Sequence, residues 1–235
     1  MIITFTDITQ EIPEEFYPKP SSFFIPDWYK EMSSYMTEKK DLTPGNTTSG
    51  TIKKCMPVFD AITAGYILVT SVDVWISKKM SDNGEIEFYY QWSDSNAVQF
   101  HPIEQAPTYP KRNGHISSYP KWTNNWSIKT PKGYSTLFTQ PMHRKSPFTI
   151  LEGIVDTDEY TPPVNFPFVL NDISFEGLIP AGTPMVQVIP FKRDNWKMEL
   201  GKEKNILEQT KMAKKLKSRF FDSYKNQFRK SKVYK

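Results

Sequence analysis

Asp156 and Asp158, one residue apart in Gly153-Ile-Val-Asp-Thr-Asp-Glu-Tyr160, are the residues of this chain whose type and spacing best suit chemistry. Paired carboxylates can act as a general base with its partner, or offer oxygen ligands to one divalent cation. The same spacing also suits a plain turn, in which one Asp accepts backbone N–H groups and the other is solvated. The structural turn is the expectation taken here, with no catalytic residue assigned unless the pair proves enzymatic. His101, His115 and His143 show no compact ligand spacing, so no metal site is expected. Cys55 is the only cysteine, which excludes an intrachain disulfide, and beside Met56-Pro57 it reads as a small buried residue. There is no Gly-x-Ser-x-Gly, phosphate loop or dinucleotide fingerprint, and no cofactor is expected.

A second set could act by binding. Tyr109, Tyr119, Trp122, Trp126 and Tyr134 interleave with Lys111, Arg112, Lys121 and Lys129. Such a mixture can stack on single-stranded nucleic acid, or form an aromatic core with an interface rim. Charge favours the second. Residues 1–201 hold 18 basic and 23 acidic residues, whereas 202–235 hold 12 and 3, so the net charge of +4 belongs to the tail. In that tail Ile206, Ala213, Leu216, Phe220, Tyr224 and Phe228 recur at helical spacing among many lysines. Phe220, Tyr224 and Phe228 are the expected interface residues of a helix docked by its apolar stripe. A protein partner or self-association is the expected use, with nucleic-acid contact through 211–235 as the alternative.

These groups need a frame. With 235 residues, the chain can bury a substantial core. Tyr66–Ile76 and Glu85–Trp92 alternate around Ser81-Asp82-Asn83-Gly84, which predicts a hairpin with a type I′ turn. Further strands are expected at Ile2–Phe5, Trp126–Lys129, Tyr134–Phe138, Phe148–Val155, Ile173–Leu178 and Met185–Phe191, with 102–125 irregular. Short helices are expected from Pro26 and from Pro57 to Gly65. Gly153 and Gly182 are expected at tight positions, with Ile154, Val186, Val188 and Ile189 in the core. The fold class is mainly β: a sandwich or β-clip-like antiparallel domain with short N-terminal helices and a basic amphipathic C-terminal helix. The domains are 1–195, the β-rich core, and 196–235, the helix. No apolar run approaches the ~20 residues that span a bilayer. No signal peptide is evident, so a cytoplasmic location is expected, in the host cell or a virion if the chain is phage-encoded.

Two resemblances follow from particular motifs. The order Cys55-x-Pro57, Gly65-Tyr66, Lys129-Thr-Pro-x-Gly133-Tyr134, Gly153-x-Val-Asp-Thr-Asp158, Asn165-Phe166 and Gly182-Thr-Pro184 resembles an uncharacterised family of phages and bacteria. It implies a phage-type protein and no activity. Residues 130–191 are also remotely similar to the β-clip of the dUTPase and dCTP deaminase superfamily. That resemblance implies Asp156 as base, Tyr160 as sugar platform, and Asn171 and Gln187 as structural or base-contacting residues. The chain departs from the pattern: Tyr160 lies one residue too far on, and no Arg-Ser-Ser or Arg-Ser-Gly segment follows Gly133. The leading expectation is therefore a non-catalytic binding or structural protein, with a nucleotide-binding enzyme or its degenerate relative as the alternative.

Overall fold

The computed structural model describes residues 1–36, 50–93, 96–109, 118–201, 203–218 and 223–235. Antiparallel sheets carry the body. β1 (Thr4–Asp7) pairs β8 (Trp126–Lys129). A four-stranded sheet runs β10 (Phe148–Ile150), β12 (Phe166–Leu170), β7 (Ser118–Trp122), β6 (Val98–Pro102). A five-stranded sheet runs β11 (Gly153–Val155), β9 (Tyr134–Thr139), β14 (Pro184–Lys192), β3 (Tyr66–Val69), β2 (Lys19–Pro20). The fourth runs β13 (Gly177–Ile179), β4 (Val74–Met80), β5 (Ile86–Trp92). The helices are α1 (Asp27–Glu31), α2 (Met56–Thr63), α3 (Glu203–Ser218) and α4 (Ser223–Gln227). The fold is mainly β and sandwich-like, and the sheets do not close.

Every sheet contributes to one core, because strand alternation turns half of each strand inward. Leu68, Val74, Ile76, Phe138, Ile150, Leu170, Val186 and Val188 meet there. Aromatic rings fill its centre: Trp122 stacks on Phe168 at 4.5 Å, and Phe148 stands 5.1 Å and 5.4 Å from them. Trp126 and Tyr119 are also buried. Three of the five aromatics are thus buried, Tyr109 and Tyr134 are only partly so, and Lys111, Arg112 and His115 lie outside the described residues.

The corner between α2 and β3 closes around glycine. Gly65 has φ +65°, and a Cβ there would sit 2.0 Å from the Val188 carbonyl oxygen. No side chain fits, since neighbouring backbone occupies the space. Arg144 ties this corner to the N-terminal segment. Its guanidinium donates to the carbonyls of Phe24 (2.8 Å), Ile62 (3.0 Å), Met142 (3.2 Å) and Ser21 (3.3 Å). Burial lowers its pKa to about 10.

Several expectations need correction. The β4–β5 hairpin is present, but its turn is not type I′. Gly84 N–H donates to Ser81 C=O (2.9 Å), Ser81 N–H to Glu85 C=O (2.8 Å), and only Gly84 in the turn has positive φ. That is a type I turn with a glycine bulge, a three-residue loop that asks nothing unusual of Asn83. Gly153 has open space around it, and Ile154 is 64% exposed, because β11 is an edge strand with Ile154 turned outward. Ile173 is not in a strand: Asp172 caps a turn through Ser174, and β13 starts only at Gly177. The stretch 102–125, read as irregular, contains β7, whose Pro120 lies beyond the two residues paired with β12. An unpaired N–H position is where a sheet tolerates proline.

Candidate functional site

β11 ends at Val155, and the chain turns at once: Glu159 and Tyr160 N–H both donate to Asp156 C=O, at 3.0 Å and 2.8 Å. The turn sits over the loop between β8 and β9. Thr157 is buried, with its hydroxyl 2.8 Å from those of both Thr130 and Thr136. Its neighbours Asp156 and Asp158 are thereby directed to the same end of the sheet, where β14 delivers Arg193.

Arg193 organises the carboxylates. It binds Asp158 in a two-pronged pair, Nη1 to Oδ1 at 2.7 Å and Nη2 to Oδ2 at 2.5 Å, and Gly133 N–H donates to Asp158 Oδ2 at 2.8 Å. Asp156 Oδ1 accepts from Ser135 Oγ at 2.6 Å and lies 3.2 Å from Arg193 Nη1. The two acids differ in environment: the Asp158 side chain is 2% exposed and that of Asp156 63%. The Arg193 hydrogen bonds hold Asp158 down to about 2, helped by the Gly133 N–H. The same pairing raises the pKa of Arg193. Asp158 is therefore a permanent carboxylate at neutral pH with both oxygens engaged, and it cannot collect a proton. Asp156 shares the one cation. Together they form a clasp joining β9, β14 and the 156–160 turn.

The other residues implied by the β-clip resemblance do not join this cluster. Gln187 is fully buried on β14: its Oε1 accepts from Met142 N–H (2.9 Å), and its Nε2 donates to Ala61 C=O (2.9 Å) and Ala64 C=O (2.7 Å). It seats the end of α2 on the sheet. Asn171 donates to Ser146 C=O (2.9 Å) and accepts from Thr149 Oγ1 (2.6 Å), stapling the turn before β10. Tyr160 is half-exposed at the mouth of the turn. His101 lies on β6, and His143 is an exposed turn residue with φ +57°. Among the described residues no group of three or more His, Cys, Asp or Glu side chains could hold a metal ion. A small crevice lies elsewhere, beside Phe16, Thr70, Trp122, Thr123 and Asn124. No charged side chain lines it.

The tail departs from its expected form. Past Arg193 the chain runs without regular structure to Gly201, with Trp196, Met198 and Leu200 exposed at 91%, 86% and 81%. α3 follows, and residues 206–214 are all exposed, so Ile206 and Ala213 are not docked on the body. Phe220 lies outside the described residues, Tyr224 is exposed and Phe228 is half-buried. Docking falls to the last residues instead. Arg229 donates to Asp60 Oδ1 through Nε (3.0 Å) and Nη2 (2.7 Å), and Lys232 to Asp60 Oδ2 (2.9 Å). Arg229 lies over the Phe59 ring, and Tyr234 meets Tyr66 edge-on at 5.9 Å. Charge and ring contacts to α2 and β3 thus hold the terminus, where an apolar helix face was expected.

Arg193 and the exposed arm were both missed by sequence reasoning. The alternation Trp196-Lys-Met198-Glu-Leu200 was the available signal for the arm. Arg193 had none, because its partners lie 35 and 37 residues away across the sheet. No family model matches this chain, and no curated protein matches it. Among the described residues no helix is long and apolar enough to cross a membrane.

Proposed function

We propose that this chain is a non-catalytic binding or structural β protein of phage type, working through protein–protein contacts made by its C-terminal arm. One observation carries the reading: every described side chain from Phe191 to Lys214 is exposed, including Trp196, Met198, Leu200, Ile206, Leu207 and Met212. Large apolar side chains left in water along one segment are unfavourable and suit a surface that another protein covers. The acidic turn supports the same reading from the opposite side. Arg193 and the Gly133 N–H engage both oxygens of Asp158, and Ser135 and Arg193 engage Oδ1 of Asp156, whereas a base needs a lone pair aimed at substrate. The phage assignment rests on the family resemblance of residues 26–193.

The test is photo-crosslinking in cells, with a benzophenone side chain placed at position 196 of the full chain and, as control, at the exposed position 83. Polypeptide adducts at 196 and none at 83 are expected. Adducts to nucleic acid alone, or none, would overturn the proposal. So would dUTP or dCTP turnover that disappears in Asp156→Asn.

A further inference from the structure

We infer that the face formed by α2 and the start of β3 is a docking site for a basic, aromatic peptide segment, and that residues 229–235 are its built-in, displaceable occupant. Between Cys55 and Tyr66 the sequence carries one charged residue, Asp60, whereas residues 229–235 carry Arg229, Lys230, Lys232 and Lys235 and no acid. Three charge-assisted hydrogen bonds converge on the Asp60 carboxylate, two from Arg229 to Oδ1 (3.0 Å and 2.7 Å) and one from Lys232 to Oδ2 (2.9 Å). The Arg229 bonds, helped by Lys232, hold the Asp60 carboxyl below its usual range, so it is ionised at neutral pH. Aromatic rings flank the charge. The Arg229 guanidinium lies 5.7 Å from the Phe59 ring centroid, Tyr234 meets Tyr66 edge-on at 5.9 Å, and the Tyr66 hydroxyl donates to Lys235 C=O at 3.3 Å.

The two sides of this contact are built differently. The receiving side belongs to the body. Phe59 packs on buried Tyr29 (5.8 Å), whose hydroxyl donates to Lys53 C=O (3.0 Å), and Tyr66 rests edge-on against Phe5 (5.2 Å). Gln187 and Arg144 fix the end of α2 through the Ala61, Ala64 and Ile62 carbonyls. A receiving face held from behind in this way is ordered before anything docks on it. The occupying side has no such anchor. Among the described residues none after Val188 is buried, Lys232 is half-exposed and Val233 is exposed. Ion pairs at partly exposed positions are weak one by one and weaken further with salt. The strap stays closed because its own chain keeps it at a high effective concentration over α2. A partner with the spacing of Arg229, Lys232 and Tyr234 (a cation, a second cation three residues on, an aromatic two further) matches the same site and must displace the strap to reach it.

The experiment is fluorescence anisotropy of a labelled synthetic peptide with the sequence of residues 223–235, titrated with the full chain up to about 1 mM, the order of a tethered segment's effective concentration. Arg229→Ala with Lys232→Ala releases the strap, and this chain should bind the peptide with Kd at or below about 0.1 mM. The wild type, its site occupied about nine-tenths of the time or more, should bind at least about tenfold more weakly. Lys232→Ala alone should fall between the two. Adding Asp60→Asn to the released chain should weaken binding by about tenfold or more, and a peptide with glutamate in place of Arg229 and Lys232 should not bind. None of the substituted side chains is part of the core, and an unchanged thermal midpoint shows that the fold is intact. Equal affinity of the wild-type and released chains, no binding by the released chain, or binding indifferent to Asp60→Asn overturns the inference. The site lies apart from the exposed residues 191–214, so this result and the crosslink at 196 stand or fall independently.

Discussion

Replacing Gln187 with Leu tests whether the residue is a structural clamp or a ligand contact. The side chain is fully buried and makes three hydrogen bonds, one accepted from Met142 and two donated to Ala61 and Ala64. Leucine has nearly the same bulk, so no large cavity forms and the loss is polar. Each bond contributes about 0.5–1.5 kcal/mol net. Water can reach the half-buried partner residues in part, which keeps the sum at about 2–4 kcal/mol. Against a total stability of about 5–15 kcal/mol, that is a large fraction. For a chain of this size it corresponds to a fall in Tm of roughly 4–16 °C. Gln187→Glu should be worse, because it buries a carboxylate against the Ala61 and Ala64 carbonyl oxygens. Urea unfolding followed by tryptophan fluorescence measures both variants. A Gln187→Leu loss below about 0.5 kcal/mol would refute the clamp. Unchanged stability with altered dCTP or dUTP binding would restore the base-contacting role implied by the β-clip resemblance.

Gly65→Ala should cost more than about 3 kcal/mol, or prevent folding, since it adds positive-φ strain of about 1–2 kcal/mol to a clash with the Val188 carbonyl; Gly84→Ala, with open space, should show the strain alone. Val188→Ala should lose about 1–3 kcal/mol in urea, and a loss of a few tenths would place that strand at the surface. Asp158 titrates at about 2 in the fold and near 3.8 unfolded, so its contribution is fully present above pH ~4 and is lost as pH falls towards 2. The stability gap between wild type and Asp158→Asn, read from urea midpoints, should therefore be widest at pH 5 and narrow towards pH 2; a gap independent of pH would sink the Arg193 pairing.

Local pattern carried much of the architecture. The mainly β class follows from alternating β-branched and aromatic runs. Pro57 and Gly65 bracket α2 as their backbone preferences require, and Gly84 marks the hairpin because positive φ is a local property of glycine. The preference for a structural acidic turn came from the same chemistry, since closely spaced Asp residues bond nearby backbone N–H groups. What pattern could not reach was anything depending on a partner distant in sequence. Ile154 has the type and spacing of a core residue, yet β11 lies at a sheet edge and turns it to solvent. Gln187 and Asp158 looked available for ligands until the fold supplied α2 and Arg193 to consume them. The tail shows both sides. Its helix at 203–218 was legible from apolar residues recurring at helical spacing among lysines. Where its apolar face goes was not, because burial depends on which surface is free, and Asp60 gives the place on α2 to the chain terminus. Periodicity determines which side of an element is apolar; only the tertiary structure decides whether anything is there to cover it.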